Sequence, residues 1–290
     1  MAAPAEPSTH WSKKPLTLRV ISAAVLIPIV VVAVYAGHPA WDLLVVLFGI
    51  VMIVEWCQIS GRRRNPDNPT QWLPAWDPVL KYLAVAVVFS QLLYFERVGW
   101  LGLLGTLAVA VVIVGAFALS PRGQAAIWCA LGIVYVAVPC AAIIWLRADP
   151  AVGLQQIFWI VALVIFADTG AYIAGRSIGG PKLAPRISPN KTWAGLGGAV
   201  VSAAIMGAIT GFLMDRPSSA LIAVSGGLGI VAQMGDLAES AFKRHFGVKD
   251  ASNIIPGHGG ALDRVDGLIA VAAAVAGINS WIGSSVLTWL

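Results

Sequence analysis

Charge is what this chain has least of. Only 11% of its 290 residues are Asp, Glu, Lys or Arg, while 58% are hydrophobic. A soluble domain carries about 25% charged residues, so a freely soluble globular chain is excluded. Cysteine is also scarce: Cys57, Cys129 and Cys140 each lie inside an apolar run. Three scattered, membrane-buried thiols offer neither a disulfide framework nor metal-ligand spacing, and they read as small packing residues. Short segments of alternating polarity are missing, which excludes a membrane barrel. No internal repeat is visible, so the inverted-repeat plan of many transporters finds no support. The opening "MAAPAEPSTHWSKKP" has no apolar core and is not a cleavable signal. Residues 1–17 are expected to form a disordered cytoplasmic tail.

What the chain has instead is long apolar runs, several reaching the ~20 residues that cross a bilayer as a helix. Hydropathy predicts nine spans, at 18–37, 40–59, 79–95, 98–119, 124–146, 153–174, 193–214, 218–242 and 264–289. The expected fold is an all-α integral membrane protein of about nine transmembrane helices. With the N-terminus in the cytoplasm, every Lys and Arg except Arg97, Arg147 and Arg216 falls on the inside. That is the positive-inside pattern, and it leaves the C-terminus on the opposite side. Residues 18–150 read as a scaffold of about five helices with one basic loop, "GRRRNPDNP". Glu55 is the acid that interrupts this scaffold, placed near a span end where it can snorkel or pair with Arg62 or Arg63.

Polar residues collect after position 160, in three stretches on the cytoplasmic side. The first, "ADTGAYIAGRSIGGPKLAPRISPNKTWAG", puts Asp168, Tyr172 and Arg176 on one helix face and then offers Lys182, Arg186 and Lys191 in a glycine- and proline-rich loop. The second, "QMGDLAESAFKRHFGVKD", spaces Asp236, Glu239, Ser240, Lys243 and Arg244 into a single polar stripe, in which Glu239 and Lys243 form an i, i+4 ion pair. The third, "IPGHGGALDRVDG", puts Asp263 and Asp266 on one face at the start of the last span. One aspartate there would serve as a helix cap; two, at the same depth as Asp236 and Asp168, exceed that need. Four carboxylates among six or more cations suit a hard divalent ion with a polyphosphate, since Mg²⁺ takes one or two carboxylates plus phosphate oxygens. Residues 151–290 are therefore expected to be a catalytic domain of about four helices with cytoplasmic loops at 175–192 and 243–263.

These residues carry a resemblance. "SAFKRHFGVKDASNIIPGHGGALDRVD" resembles the signature of the phosphatidate cytidylyltransferases (CDP-diacylglycerol synthases): Ser-x-x-Lys-Arg, four residues, Lys-Asp, then His-Gly-Gly-x-x-Asp-Arg-x-Asp. "DTGAYIAGR" and "SPNKTW" are similar to the same family, so the likeness spans residues 160–270 or so. Ala194 stands where the family usually has Glu, and Ala261 where it has a larger apolar residue. The resemblance implies transfer of CMP from CTP to phosphatidic acid, giving CDP-diacylglycerol and pyrophosphate. It implies Mg²⁺ on Asp236, Asp263 and Asp266, with room for a second, monovalent ion such as K⁺. Lys191 and Arg264 would join them in catalysis. Substrate contacts would come from Asp168, Tyr172, Lys182, Ser240, Lys243, Arg244, Lys249, Asp250, His258, Gly259 and Gly260. The implied partners are CTP, phosphatidic acid, membrane lipids and a second copy of the chain, with no nucleic acid. The implied location is the plasma membrane. A CTP-dependent polyprenol or lipid kinase is the alternative enzyme. An ion-coupled transporter would need its carboxylates near the midplane, whereas these gather at one face.

Overall fold

The computed structural model describes residues 16–64, 72–74, 123–252, 254 and 259–288, with scattered helical positions between 82 and 112. Among the described residues seven helices have defined bounds: α1 (Leu16–Ala36), α2 (Ala40–Ser60), α3 (Gly123–Ala148), α4 (Gly153–Ser177), α5 (Trp193–Leu213), α6 (Ser219–His245) and α7 (Leu262–Ile282). Helix is the only open form that satisfies every backbone N–H and C=O within one segment in hydrocarbon. Six of the seven, α2 to α7, are long and apolar enough to cross a membrane. The integral-membrane, helical reading therefore holds. The spans expected at 79–95 and 98–119 fall largely outside the described residues, as does most of the expected tail.

The all-α class stands, and the structure adds two short antiparallel pairs in the connections: β1 (Arg62–Arg64) with β2 (Trp72–Pro74), and β3 (Lys182–Ala184) with β4 (Ser188–Thr192). The sequence reading is corrected at the last helix, which stops at Ile282, short of the expected 289. Gly283 takes the left-handed conformation at φ 76°, the usual device for ending a helix. The chain then folds back so that the Val286 N–H donates to Asn279 Oδ1 at 3.0 Å, while Asn279 Nδ2 donates to Gln156 Oε1 of α4 at 2.8 Å.

Short connectors at 37–39, 149–152 and 214–218 force successive helices into antiparallel neighbours. Tyr35, Leu154 and Met214 line one shallow cavity, so these three turns share one end of the bundle. The 178–192 connection and the described parts of the 246–261 stretch lie at the other end, where the charge lies. Helices α4, α5 and α6 pack in chain order through small residues, as membrane helices do. A Cβ on Gly198 would stand 2.4 Å from the Gly170 carbonyl oxygen, so α4 and α5 nearly touch backbone to backbone. Below the charged end, Trp56 of α2 stacks on Phe242 of α6 with ring centroids 3.7 Å apart, and its Nε1 donates to the Trp128 carbonyl of α3 at 2.7 Å. Cys57, Cys129 and Cys140 form no disulfide with one another, and Cys57 Sγ lies 3.9 Å from Cys129 Sγ where α2 packs on α3.

Candidate active site

Four elements bring their charges to one end of the bundle. The 178–192 connection is a hairpin, and β4 runs straight into α5. Thr192 is extended and caps that helix, its Oγ1 accepting the Gly195 N–H at 3.0 Å. Lys191 thereby sits one residue before a rigid helix start. Its ammonium reaches Asp236 Oδ2 of α6 at 2.8 Å and donates to the Gln233 carbonyl at 3.3 Å. Gln233 in turn donates through Nε2 to Asp168 Oδ1 of α4 at 2.9 Å. Asp236 is held on its other oxygen by the Ser240 hydroxyl, at 3.2 Å. A chain of polar contacts thus joins α4, β4 and α6.

A second group lies one turn further along α6. Lys243 is nearly buried and sits between two carboxylates, Glu239 Oε2 at 2.6 Å and Asp263 Oδ1 at 2.5 Å. The i, i+4 pair expected from sequence is therefore present, and Asp263 of α7 completes a triad. Asp263 Oδ2 also accepts the backbone N–H groups of Ala251, at 2.9 Å, and Gly260, at 3.0 Å. Three donors hold this carboxylate, which pins the stretch entering α7. Asp266, one turn on, accepts one hydrogen bond among the described residues, from the Gly267 N–H at 2.8 Å. It lies within electrostatic reach of Asp236 and Asp168.

The α6–α7 contact explains this approach. A Cβ on Gly235 would come within 2.6 Å of the Asp266 carbonyl oxygen and 2.7 Å of the Ala270 Cβ. Glycine beside Asp236 lets the two helices close at the level of their aspartates.

The remaining site residues expected from sequence lie around this pair of groups. Tyr172 and Arg176 are exposed on α4, and Arg176 Nη1 donates to the Tyr172 hydroxyl at 2.7 Å. Lys182 is exposed on β3, while Lys249, Asp250 and Arg264 are exposed near the entry to α7. Arg244, exposed at the end of α6, donates to the Val248 carbonyl just beyond the helix at 2.8 Å. Gly259 and Gly260 are buried, whereas His258 lies outside the described residues. Ala194 is half-buried in the first turn of α5. Among the described residues, no three His, Cys, Asp or Glu side chains close around one point to hold a metal.

Sequence reasoning left four residues out of the site. Gln233 carried a signal, a polar side chain one turn before Asp236 in an apolar helix. Glu239 was legible as a partner of Lys243, and the structure adds that it is 1% exposed with Oε1 unpartnered among the described residues. Tyr135 of α3 buries a hydroxyl within electrostatic reach of Glu239, Asp266 and Asp236. Nothing in its apolar surroundings marked it. Glu55 is the fourth. It accepts hydrogen bonds from the Ser252 hydroxyl and from the N–H groups of Ala261 and Leu262, the latter two at 3.0 and 2.9 Å.

Fold and site together define a multi-pass membrane protein that gathers carboxylates and ammonium groups at one end of a helix bundle. The cytidylyltransferase family profile matches residues 17–280, and the chain belongs to that family, so it is a nucleotidyltransferase. It is similar to the phosphatidate cytidylyltransferase of Brucella melitensis biotype 1, with 38% identity over 270 residues covering 89% of this chain and 91% of the relative. The protein of the same name from Haemophilus influenzae is 34% identical over 279 residues, covering 88% and 95%. That from Bacillus subtilis is 40% identical over 143 residues, covering 49% and 53%.

Proposed function

We infer that the chain is a phosphatidate cytidylyltransferase: CTP and phosphatidic acid give CDP-diacylglycerol and pyrophosphate. The observation that carries this reading, beside the family, is the interleaving of Lys191 and Lys243 with Asp236, Glu239 and Asp263 at one end of the bundle. An oxygen of the lipid phosphate attacks the α-phosphorus of CTP, and the bond from that phosphorus to the bridging oxygen of the β-phosphate breaks, releasing pyrophosphate. A phosphate monoester is largely ionised near neutral pH, so the attack requires no general base. Such transfers depend on positioning and charge stabilisation rather than on covalent work by the protein. Lys191 would meet phosphate charge from the hairpin side. Lys182, Arg244, Lys249 and Arg264 add further cations on exposed positions.

The donor set suits Mg²⁺. Asp236 and Asp266 lie within electrostatic reach of one another where Gly235 brings α6 onto the Asp266 backbone, Asp266 accepts one hydrogen bond among the described residues, and the metal needs one or two carboxylates plus substrate oxygens. These two would hold the ion, which supplies Lewis-acid stabilisation of the phosphoryl oxygens. Asp263, engaged by three donors, braces the loop beside them in this geometry. The charged end faces the cytoplasm, where CTP is, and acyl chains remain in the plasma membrane. This orientation is supported by the distribution of Lys and Arg along the chain; a second copy as partner rests on the family resemblance.

The test uses CTP labelled on the α-phosphorus, with the purified chain and phosphatidic acid in mixed micelles. Label is expected in the lipid product, with release of pyrophosphate. Unlabelled lipid phosphorylation with release of labelled CDP would instead make the chain a lipid kinase.

A further inference from the structure

We propose that Glu55, from the scaffold helix α2, is a positioning residue of the active site: it clamps the start of α7 and so sets where Asp263 and Asp266 stand. The proposal rests on the cytidylyltransferase reading only for its link to turnover.

Glu55 is fully buried. A carboxylate inside a membrane helix is expensive unless it is hydrogen-bonded or paired. The partners the described residues give it lie about 200 residues further along the chain. Oε1 accepts the Ala261 N–H and the Ser252 hydroxyl, and Oε2 accepts the Leu262 N–H. The first N–H groups of any helix have no partner within it, and Ala261, the residue in the cap position of α7, has no side chain able to serve them. Glu55 supplies the cap from another helix, and its charge suits the positive end of the α7 dipole.

The loop is shaped to admit this carboxylate. A Cβ on Gly260 would lie 2.9 and 3.0 Å from the two Glu55 oxygens and 2.8 Å from the Ala251 Cβ. The second glycine of "HGG" therefore has a local reason to be glycine, which is that Glu55 lies against its Cα. Asp263 holds the same part of the chain through Ala251 and Gly260. The two acids alternate along it: Asp263 holds 251 and 260, Glu55 holds 252, 261 and 262. Asp263 is the next residue after the last one Glu55 holds, and Asp266 follows one turn later. A shift at Leu262 is passed directly to both aspartates. Mutating residues that orient a metal ligand typically costs about 10–100-fold in affinity or activity.

The experiment compares Glu55→Gln, Glu55→Asp and Ile53→Ala in the full chain, in detergent micelles. Ile53 is a fully buried apolar residue on the same helix, and its truncation controls for loss of stability alone. Two readouts are taken. Amide hydrogen exchange at Ala261 and Leu262, measured without substrate, is expected to speed up in Glu55→Gln while positions 270–276 inside α7 stay protected. CMP transfer is expected to fall about 10–100-fold, with a raised Mg²⁺ half-saturation. Ile53→Ala should lower thermal stability with the half-saturation unchanged. Should Glu55→Gln fail to fold, Glu55→Asp and Gly260→Ala, which disturb the clamp from either side, are read in the same way. Wild-type protection at 261 and 262 would overturn the clamp whatever the activity. Lost protection with unchanged turnover and Mg²⁺ dependence would overturn the positioning role. Failure of the chain to make CDP-diacylglycerol at all would leave the exchange result standing and sink only the functional reading.

Discussion

Asp263 and Asp266 lie one helical turn apart and look interchangeable, yet their surroundings predict opposite responses to the same substitution. Asparagine matches aspartate in size but replaces one acceptor oxygen with a donor and removes the charge. At position 263 this meets donors on both sides: Lys243 on one oxygen, and the Ala251 and Gly260 amides on the other. Whichever way the amide turns, one NH₂ faces another donor, and an unsatisfied buried group costs about 1–3 kcal/mol. Breaking a buried ion pair outright costs about 3–5 kcal/mol, but Glu239 still neutralises Lys243 here. Asp263→Asn should therefore destabilise by about 2–4 kcal/mol. At position 266 the asparagine oxygen can keep the Gly267 N–H bond, so Asp266→Asn should melt like the parent. Its CMP transfer should nevertheless fall at least ~100-fold, about 2.7 kcal/mol of transition-state stabilisation. Thermal melting in detergent and radiolabelled transfer, measured on both variants, supply the comparison. The reasoning fails if Asp263→Asn melts at the parental temperature, if Asp266→Asn is the less stable of the two, or if Asp266→Asn retains near-normal turnover.

Two further outcomes follow from the same geometry. Lys191→Ala should lower kcat/KM for CTP about ten- to a thousandfold, ~1.4–4 kcal/mol, with part recovered in Lys191→Arg; a change confined to the lipid dependence would reassign Lys191 to the lipid phosphate. Gly235→Ala should cost about 1–3 kcal/mol by forcing α6 from the Asp266 backbone, and turnover should drop with it. Gly197→Ala, where an added Cβ meets nothing within 4 Å, serves as the control and should behave as the parent.

Much of this was legible in the sequence because the relevant signals are local. Apolar runs mark the helices, and the spacing of Asp236, Glu239, Ser240 and Lys243 puts them on one stripe whatever surrounds them. What escaped was set by contacts across the fold. A lone acid near a span end looks the same whether it snorkels or reaches another helix, so Glu55 could not be resolved from α2 alone. Asp263 and Asp266 carry the same local signal, and only the path of the loop through Ala251 distinguishes a braced carboxylate from an open one. "SPNKT" contains Pro189 and Asn190 and reads as loop, yet pairing with β3 makes it a strand that delivers Lys191 to a fixed place. The start of α7 was legible to within two residues, but not that its cap comes from another helix.

The clamp on α7 also has a history within each molecule's synthesis. Glu55 leaves the ribosome 206 residues before Ala261, whose N–H it accepts. At ~5–20 residues per second, this interval lasts roughly 10–40 s. For that time α2 carries an acid whose partners have not been made. Glu55 lies five residues from the end of α2, about 7.5 Å along the axis, near enough to the surface for water to solvate it during the wait. Arrival of α7 exchanges that water for protein N–H groups, so completion of the active site coincides with the docking of the last long helix onto the second.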